Sequence, residues 1–135
     1  MQTLKITAKK TSSTDIVERI KTFEDACNEL GITNAELVVS GEIENDFKSV
    51  SAYQKLIIIA RALNEGWVPD WKNDSQYKYY PWFNMSSGSG LSYCACAIRY
   101  SGSFVGSRLC FRSSELARYA GTQFKKLYEQ YFVLK

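Results

Sequence analysis

A chain of 135 residues that is 45% hydrophobic and 23% charged has the composition of one ordinary soluble domain. No apolar run approaches the ~18 residues of a membrane span, and residues 1–10 lack the apolar stretch of a signal peptide. We therefore expect a cytoplasmic protein with reduced thiols and no membrane partner. The sequence contains no histidine, which excludes Ser-His and Cys-His nucleophile pairs and histidine metal sites.

The net charge of +3 is distributed unevenly along the chain. Residues 1–66 carry 8 Lys/Arg against 10 Asp/Glu, a balance of −2, whereas residues 67–135 carry 9 against 4, a balance of +5. All three tryptophans lie in the second half, so the basic half is also the aromatic half. This asymmetry is a weak indication of an anionic partner, and a solvated basic face is the alternative explanation.

Residues 1–135 are predicted to form a single domain, in which residues 1–12 form a loose N-terminal arm or an edge strand. Thr14-Asp15 predicts a helix start, and Thr22 supplies a second capping pattern. Apolar residues then recur at helical spacing until Gly31 stops the helix: Ile16, Ile20, Phe23, Cys27 and Leu30. Residues 32–48 are predicted to be mixed, partly exposed structure.

A second helix is predicted from Ser51 to Glu65. Ser51 and Gln54 fit a capping box, and Gly66 ends the element. The β-branched run Ile57-Ile58-Ile59 favours a strand, but the cap, the glycine stop and a helical stripe outweigh it. The members of that stripe are Tyr53, Leu56, Ile57, Ala60 and Leu63.

The aromatic residues 77–83 have the composition of a strand, and turn-forming residues before them predict an ordered loop over 67–76. Pro81 cannot donate a ladder hydrogen bond, so it places this strand at a sheet edge or ends it near Tyr80. The Ser/Gly-rich residues 86–90 are predicted to be a loop within the domain.

Residues 91–112 are predicted to form a hairpin with Ser101-Gly102 as a two-residue turn. In that register one face belongs to the core and carries Cys94, Cys96, Ile98, Val105, Leu109 and Phe111. The other face has a shallow floor of Ala95, Ala97 and Gly106. Aromatic and basic residues flank this floor: Tyr93, Arg99, Phe104, Arg108 and Arg112. A longer turn would change this pairing.

A third helix is predicted from Ser113 or Ser114, and Gly121 within it indicates close packing. The predicted fold class is α+β. A small antiparallel sheet, made by the hairpin over about 91–112 and an aromatic strand over about 77–83, is packed by about three helices. The predicted core combines the Ile16–Leu30 stripe with Leu56, Ile57, Ala60, Leu63, Leu109, Phe111, Leu116, Phe124 and Leu127.

The remaining reactive residues do not indicate catalysis. Cys94 and Cys96 alternate within a strand-like run and lack the two-residue gap of zinc knuckles, so the cysteines are interpreted as core thiols. Glu65, Asp70 and Asp74 are explained by helix-end and turn positions. We therefore expect a protein that is not an enzyme, with no metal and no cofactor.

Three motifs resemble an uncharacterised family of small proteins from gut anaerobes, their phages and mobile elements. They are YKYYPWF over residues 77–83, VGSRLCF over 105–111 and SELARYAG over 114–121. The resemblance covers most of the chain from about Lys21. It implies a phage or mobile-element setting and an aromatic block shared across the family, and it supplies no catalytic residue.

The mixture of arginine and aromatic residues predicts a non-catalytic binding protein, with single-stranded nucleic acid as the leading partner. Arginine can pair with phosphate and stack on a base, and each stacked base contributes about 1–3 kcal/mol. The predicted binding residues are Tyr93, Arg99, Phe104, Arg108 and Arg112, extended by Trp67, Trp71, Tyr79 and Trp82. A protein–protein interaction adaptor or structural protein using the same surface is the alternative, and the aromatic block could instead pack as core.

Overall fold

The computed structural model describes residues 15–85, 92–99 and 107–133, and it confirms the α+β fold class. These residues form five α-helices, one 3₁₀ turn and a two-stranded antiparallel sheet. The helices are α1 (Ile16–Arg19), α2 (Phe23–Leu30), α3 (Glu44–Leu63), α4 (Ser114–Gln123) and α5 (Lys125–Phe132). The strands are β1 (Lys78–Asn84) and β2 (Ser92–Arg99), and the 3₁₀ turn is Ser107–Leu109. No helix in the described ranges is long and apolar enough to cross a membrane.

The first predicted helix is divided at Ile20 into α1 and α2. Thr22 closes a capping box with Asp25, so it starts a new helix instead of continuing the old one. The backbone between the two helices is bound by α4, because the Tyr119 hydroxyl donates to the Ile20 carbonyl. Gly31 ends α2 in the left-handed conformation, as predicted.

The central helix α3 begins at Glu44, earlier than predicted, and Ile43 precedes it without a side-chain cap. The predicted capping box at Ser51 is wrong, because Ser51 lies inside the helix. Gln54 instead accepts a hydrogen bond from the Val38 N–H at 2.7 Å, which fastens the irregular residues 32–43 to α3. Tertiary contacts therefore extend the helix beyond the local cap signal.

The aromatic strand is confirmed as β1, but the predicted hairpin is wrong in its described part. β2 pairs with β1, with Tyr80 opposite Ala97, and only residues 85–91 separate the two strands along the chain. Ser107–Leu109 forms a 3₁₀ turn, and Phe111 makes one isolated bridge to Tyr79. Leu109 and Phe111 are buried in the helical core, which competes with their use as a second hairpin strand. The predicted turn Ser101-Gly102 lies outside the described residues.

Pro81 lies inside β1 because its missing N–H faces away from β2. Tyr79 exchanges both backbone hydrogen bonds with Phe111, at 3.1 and 2.8 Å. Alternate residues of a strand point their backbone groups to the same side, so the Pro81 nitrogen also faces the Phe111 side. The edge position predicted for Pro81 is thus correct, and the strand does not end at Tyr80.

A β-bulge moves Tyr93 to the opposite face from the predicted one. Trp82 pairs with Ala95, but the next residue, Phe83, pairs with Tyr93. The extra residue in β2 turns Tyr93 toward α4, where it packs on Gly121. A Cβ atom at Gly121 would lie 2.5 Å from the Tyr93 ring, so the close packing predicted for this glycine is confirmed.

The C-terminal helix starts as predicted, since the Ser113 hydroxyl accepts from the Leu116 N–H at 3.2 Å. It is interrupted at Phe124, whose side chain is buried. The predicted core is largely confirmed, and Tyr128 is a core residue that the prediction omitted. Five predicted members are only partly buried: Phe23, Cys27, Leu30, Ile57 and Leu127. The wholly buried or nearly buried members include Ile16, Ile20, Leu56, Ala60, Leu63, Leu109, Phe111, Leu116 and Phe124.

Candidate functional site

One cleft is lined by two tryptophans and two arginines, and we call it the tryptophan cleft. These four residues are Arg61, Trp67, Trp71 and Arg108. The cleft has a volume of about 330 Å³ and lies where the C-terminal end of α3 meets the 3₁₀ turn. Its floor is apolar and includes Ala60 and Cys110. Two aromatic rings and two cationic side chains therefore surround one apolar floor.

The end of α3 fixes the first wall of this cleft. Glu65 and Gly66 adopt positive φ angles of 49° and 89°, which turns the chain sharply after Asn64. The Trp67 N–H then donates to the Asn64 carbonyl at 2.9 Å. The Asn64 side chain is buried and donates to the Cys110 carbonyl at 3.0 Å, which ties the 3₁₀ segment to the helix end. Helix, loop and 3₁₀ segment are thereby held together.

The loop over residues 67–76 is held by its own side chains. The Asp70 carboxylate accepts from the Lys72 N–H at 3.0 Å, and the Asn73 amide oxygen accepts from the Ser75 N–H at 2.9 Å. These are local side-chain turns of the kind that Asp and Asn favour. The predicted turn role of Asp70 is confirmed, and Gln76 adds a bond from the Asp70 N–H at 2.6 Å.

Lys78 anchors this loop to the sheet. Its side chain is completely buried, and its ammonium donates to the carbonyls of Asp70 at 2.7 Å and Asn73 at 3.0 Å. The same ammonium lies 5.2 Å from the centre of the Trp71 ring, within cation–π range. Because the ring is pinned on one side by Lys78, Trp71 is pre-positioned at the cleft.

The two arginines of the cleft are exposed, and we call them uncommitted because they have no ion-pair partner among the described residues. Arg61 lies in the last turn of α3, and Arg108 lies in the 3₁₀ turn. Among the described residues, no acidic side chain forms an ion pair with either guanidinium. A cation beside an apolar aromatic cleft can bind a phosphate or carboxylate while a flat group stacks on the rings.

Arg112 has a different role from the one predicted. It belongs to the Glu65 network, which we define as Arg19, Glu29, Glu65 and Arg112. Its guanidinium donates to Glu65 at 2.8 Å and to the Asn64 carbonyl, so it stabilises the end of α3. Arg19 bridges Glu29 at 3.1 Å and Glu65 at 3.2 Å. Partial burial opposes ionisation of Glu65, but the hydrogen bonds from Arg112 and Arg19 outweigh it and lower the pKa.

The structure does not bring the other described residues of the predicted binding set into one surface. Tyr93 is turned onto α4 by the bulge, and Tyr79 packs against the core. Trp82 lines a separate groove near α5. The Arg99 side chain and Phe104 lie outside the described part of the chain. Of the predicted residues that the structure describes, only Trp67, Trp71 and Arg108 share the cleft, and the prediction missed Arg61.

The cysteines that the structure describes are not in disulfides: Cys27, Cys96 and Cys110 are free. Burial raises the pKa of the Cys110 thiol to about 11, against a smaller opposing effect of the Tyr80 hydroxyl. At neutral pH this thiol is therefore protonated and unreactive. The described residues contain no group of three or more potential metal ligands.

Comparisons with protein-family models, with curated proteins and with solved structures found no match to this chain. The resemblance noted for the three sequence motifs therefore stays a prediction.

Proposed function

We propose that the protein is a non-catalytic binding protein of a phage or mobile element, and that it binds single-stranded nucleic acid in the tryptophan cleft. The observation that carries the proposal is the pairing of two uncommitted arginines with two tryptophans around one cleft. Single strands expose both the phosphates and the faces of their bases, so they fit this combination better than a duplex does.

Stacking is the first contribution to the proposed binding. Trp67 and Trp71 are partly exposed, and their neighbours Val68 and Pro69 complete an apolar surface. A base that stacks on such a ring contributes about 1–3 kcal/mol without regard to its identity. Since Lys78 already fixes the position of the Trp71 ring, little side-chain entropy is lost when a base binds.

Charge is the second contribution. Arg61 and Arg108 come from two different elements and approach the cleft without an acidic partner among the described residues. Their guanidinium groups can pair with the phosphates that flank a stacked base. The proposal thus keeps Arg108 from the predicted arginine set and replaces Arg112 by Arg61.

Tryptophan fluorescence tests the proposal in a variant whose only tryptophans are the two in the cleft. In Trp82→Phe, the remaining tryptophans are Trp67 and Trp71. Titration with single-stranded oligothymidylate at low salt should quench this emission. Arg108→Ala in the same background should weaken the affinity about tenfold, because one charge-assisted phosphate contact is lost.

Arg118→Ala is the matched control, since it removes the same charge from an exposed position on α4, away from the cleft. Its affinity should stay close to that of the Trp82→Phe background. Absence of quenching at low salt, or equal weakening by Arg108→Ala and Arg118→Ala, would refute the nucleic-acid proposal. The protein–protein adaptor or structural protein predicted as the alternative would then be the better proposal.

A further inference from the structure

A second cavity lies beside the end of β1 and against α5, separate from the tryptophan cleft. It has a volume of about 380 Å³, which is within the range of about 300–1,000 Å³ that small-molecule sites occupy. We call it the Tyr128 groove. Its lining includes Trp82, Phe83, Met85, Tyr128 and Phe132.

The walls of this groove are aromatic and already packed together. The Phe83 ring lies 4.8 Å from the Tyr128 ring and 5.9 Å from the Phe132 ring, measured between centroids. Trp82 and Met85 stand at its edge with 47% and 55% of their surface exposed. These two exposed apolar side chains lie on either side of Phe83 in the sequence, so the groove has a fixed floor and an apolar rim.

Three of the described lining residues carry a hydroxyl group: Tyr80, Tyr128 and Tyr131. The most deeply buried of these tyrosines is Tyr128. Tyr128 is only 2% exposed, and no described residue forms a hydrogen bond with its hydroxyl. Within the described residues, every completely shielded side-chain oxygen or nitrogen has a hydrogen-bond partner. The Tyr128 oxygen is therefore not completely shielded, and Tyr128 is one of the residues that line the groove. Burial also raises the pKa of Tyr128, so the group remains a neutral hydroxyl that can donate.

We propose that the Tyr128 groove binds a neutral, flat, mostly apolar small molecule that carries one hydrogen-bond acceptor, such as a carbonyl. The described lining residues carry no charged side chain, which disfavours an ionic ligand. The aromatic walls favour a ring system, and the Tyr128 hydroxyl supplies one oriented hydrogen bond. Nucleic acid is not suited to this groove, because its phosphates would find no cation among the described lining residues.

Two fluorescent probes that differ in the acceptor test this proposal. One is 6-propionyl-2-(dimethylamino)naphthalene, a neutral ketone whose emission shifts to the blue in apolar surroundings. The other is N,N-dimethyl-2-naphthylamine, which has the same ring system without the ketone. Both should bind the wild-type protein, and the ketone should bind more tightly.

Tyr128→Phe removes the hydroxyl and keeps the ring. It should weaken binding of the ketone about fivefold and change binding of the naphthylamine by less than about twofold. Trp82→Ala removes part of the rim at an exposed position, so it should weaken both probes without disturbing the fold. Arg108→Ala, which lies at the other cavity, should change neither affinity and separates this test from that of the tryptophan cleft.

Failure of both probes to bind the wild-type protein would overturn the proposal. So would binding that is indifferent to Trp82→Ala, because the probes would then lie elsewhere. Equal weakening of the two probes by Tyr128→Phe would show that the hydroxyl acts on the groove's structure and not on the ligand, which would overturn the assigned ligand class. Thermal unfolding of each variant confirms that a folded protein is compared.

Discussion

The Glu65 network and the tryptophan cleft both use arginines near the end of α3, but they leave those arginines in opposite states. In the network, Arg112 and Arg19 donate to Glu65 and hold the helix end. In the cleft, Arg61 and Arg108 have no ion-pair partner among the described residues. A positive charge indicates a binding site only where the structure leaves it unneutralised. Arg108 and Arg112 differ in this respect although they lie in one short segment.

The continuous buried run between Arg108 and Arg112 explains the difference. Leu109 and Phe111 are buried and fix the chain, while Arg108 and Arg112 flank them. Arg112 follows Phe111 toward the end of α3, where its backbone N–H donates to the Asn64 side chain at 3.1 Å. Arg108 precedes the buried pair and remains at the cleft. The different positions of Arg108 and Arg112 therefore depend on Leu109 and Phe111, which fix this segment against the core.

Leu109→Ala should have the largest effect on the stability of the protein. Leu109 is 4% exposed, so truncation leaves a cavity and should lower the free energy of unfolding by about 2–5 kcal/mol. Chemical denaturation measures the change, with Val39→Ala as a control at an exposed apolar position. A loss below about 0.5 kcal/mol would place Leu109 at the surface and remove the basis of the comparison.

Lys78→Met should affect the cleft more than the network. The substitution keeps the apolar stem but leaves the Asp70 and Asn73 carbonyls without their donor, at a cost of about 1–3 kcal/mol. Tryptophan emission in the Trp82→Phe background should shift to the red because Trp71 loses its anchor. Unchanged emission and unchanged stability would mean that Lys78 does not position the loop.

Arg112→Ala and Arg108→Ala should differ in stability although both remove an arginine. Arg112→Ala removes hydrogen bonds to Glu65 and Asn64 and should cost about 1–2 kcal/mol. Arg108→Ala should stay within about 0.5 kcal/mol of the wild type, as an exposed substitution normally does. Equal losses measured by denaturation would contradict the division between committed and uncommitted arginines.

The pH dependence of stability should report the network through Glu65. Its pKa is lowered from an ordinary value of 4.5 in the folded state, so its contribution is present above about pH 4.5 and is lost as the pH falls through the folded pKa. Glu65→Gln should therefore be less stable than the wild type at pH 7. The difference should not exceed about 1 kcal/mol, because the ion pairs of Glu65 are partly exposed. The difference should shrink below pH 4.5.

The sequence predicts the helices better than the sheet, and the reason is the range of the interactions involved. Stripes such as Leu56, Ala60 and Leu63 depend on local spacing, which the sequence carries directly. The pairing of β2 depends on a choice between two possible partner strands, and the two-residue turn signal favoured the wrong one. The face of Tyr93 depends on a bulge that the pattern of residues does not reveal.

The candidate site was only partly predictable for the same reason. Residue type alone predicts Trp67, Trp71 and Arg108 as binding residues, and the structure brings them together. Arg61 lies in the last turn of a helix whose sequence signal is an apolar stripe, and that signal does not indicate which polar residues reach the cleft. The commitment of Arg112 depends on Glu65 and Asn64, more than 40 residues earlier in the chain, and no local pattern encodes that contact.

The salt dependence of oligothymidylate binding tests the central claim most directly, because it counts the phosphates that the cleft neutralises. The logarithm of the binding constant should fall against the logarithm of salt concentration with a slope of about −1.4 or steeper, from two contacts of about 0.7 each in a single strand. The double variant Arg61→Ala, Arg108→Ala should reduce this slope by about 1.4, while Arg118→Ala should leave it close to the wild-type value. A slope that the double variant does not change would contradict the assignment of the two arginines as the phosphate-binding groups of the cleft.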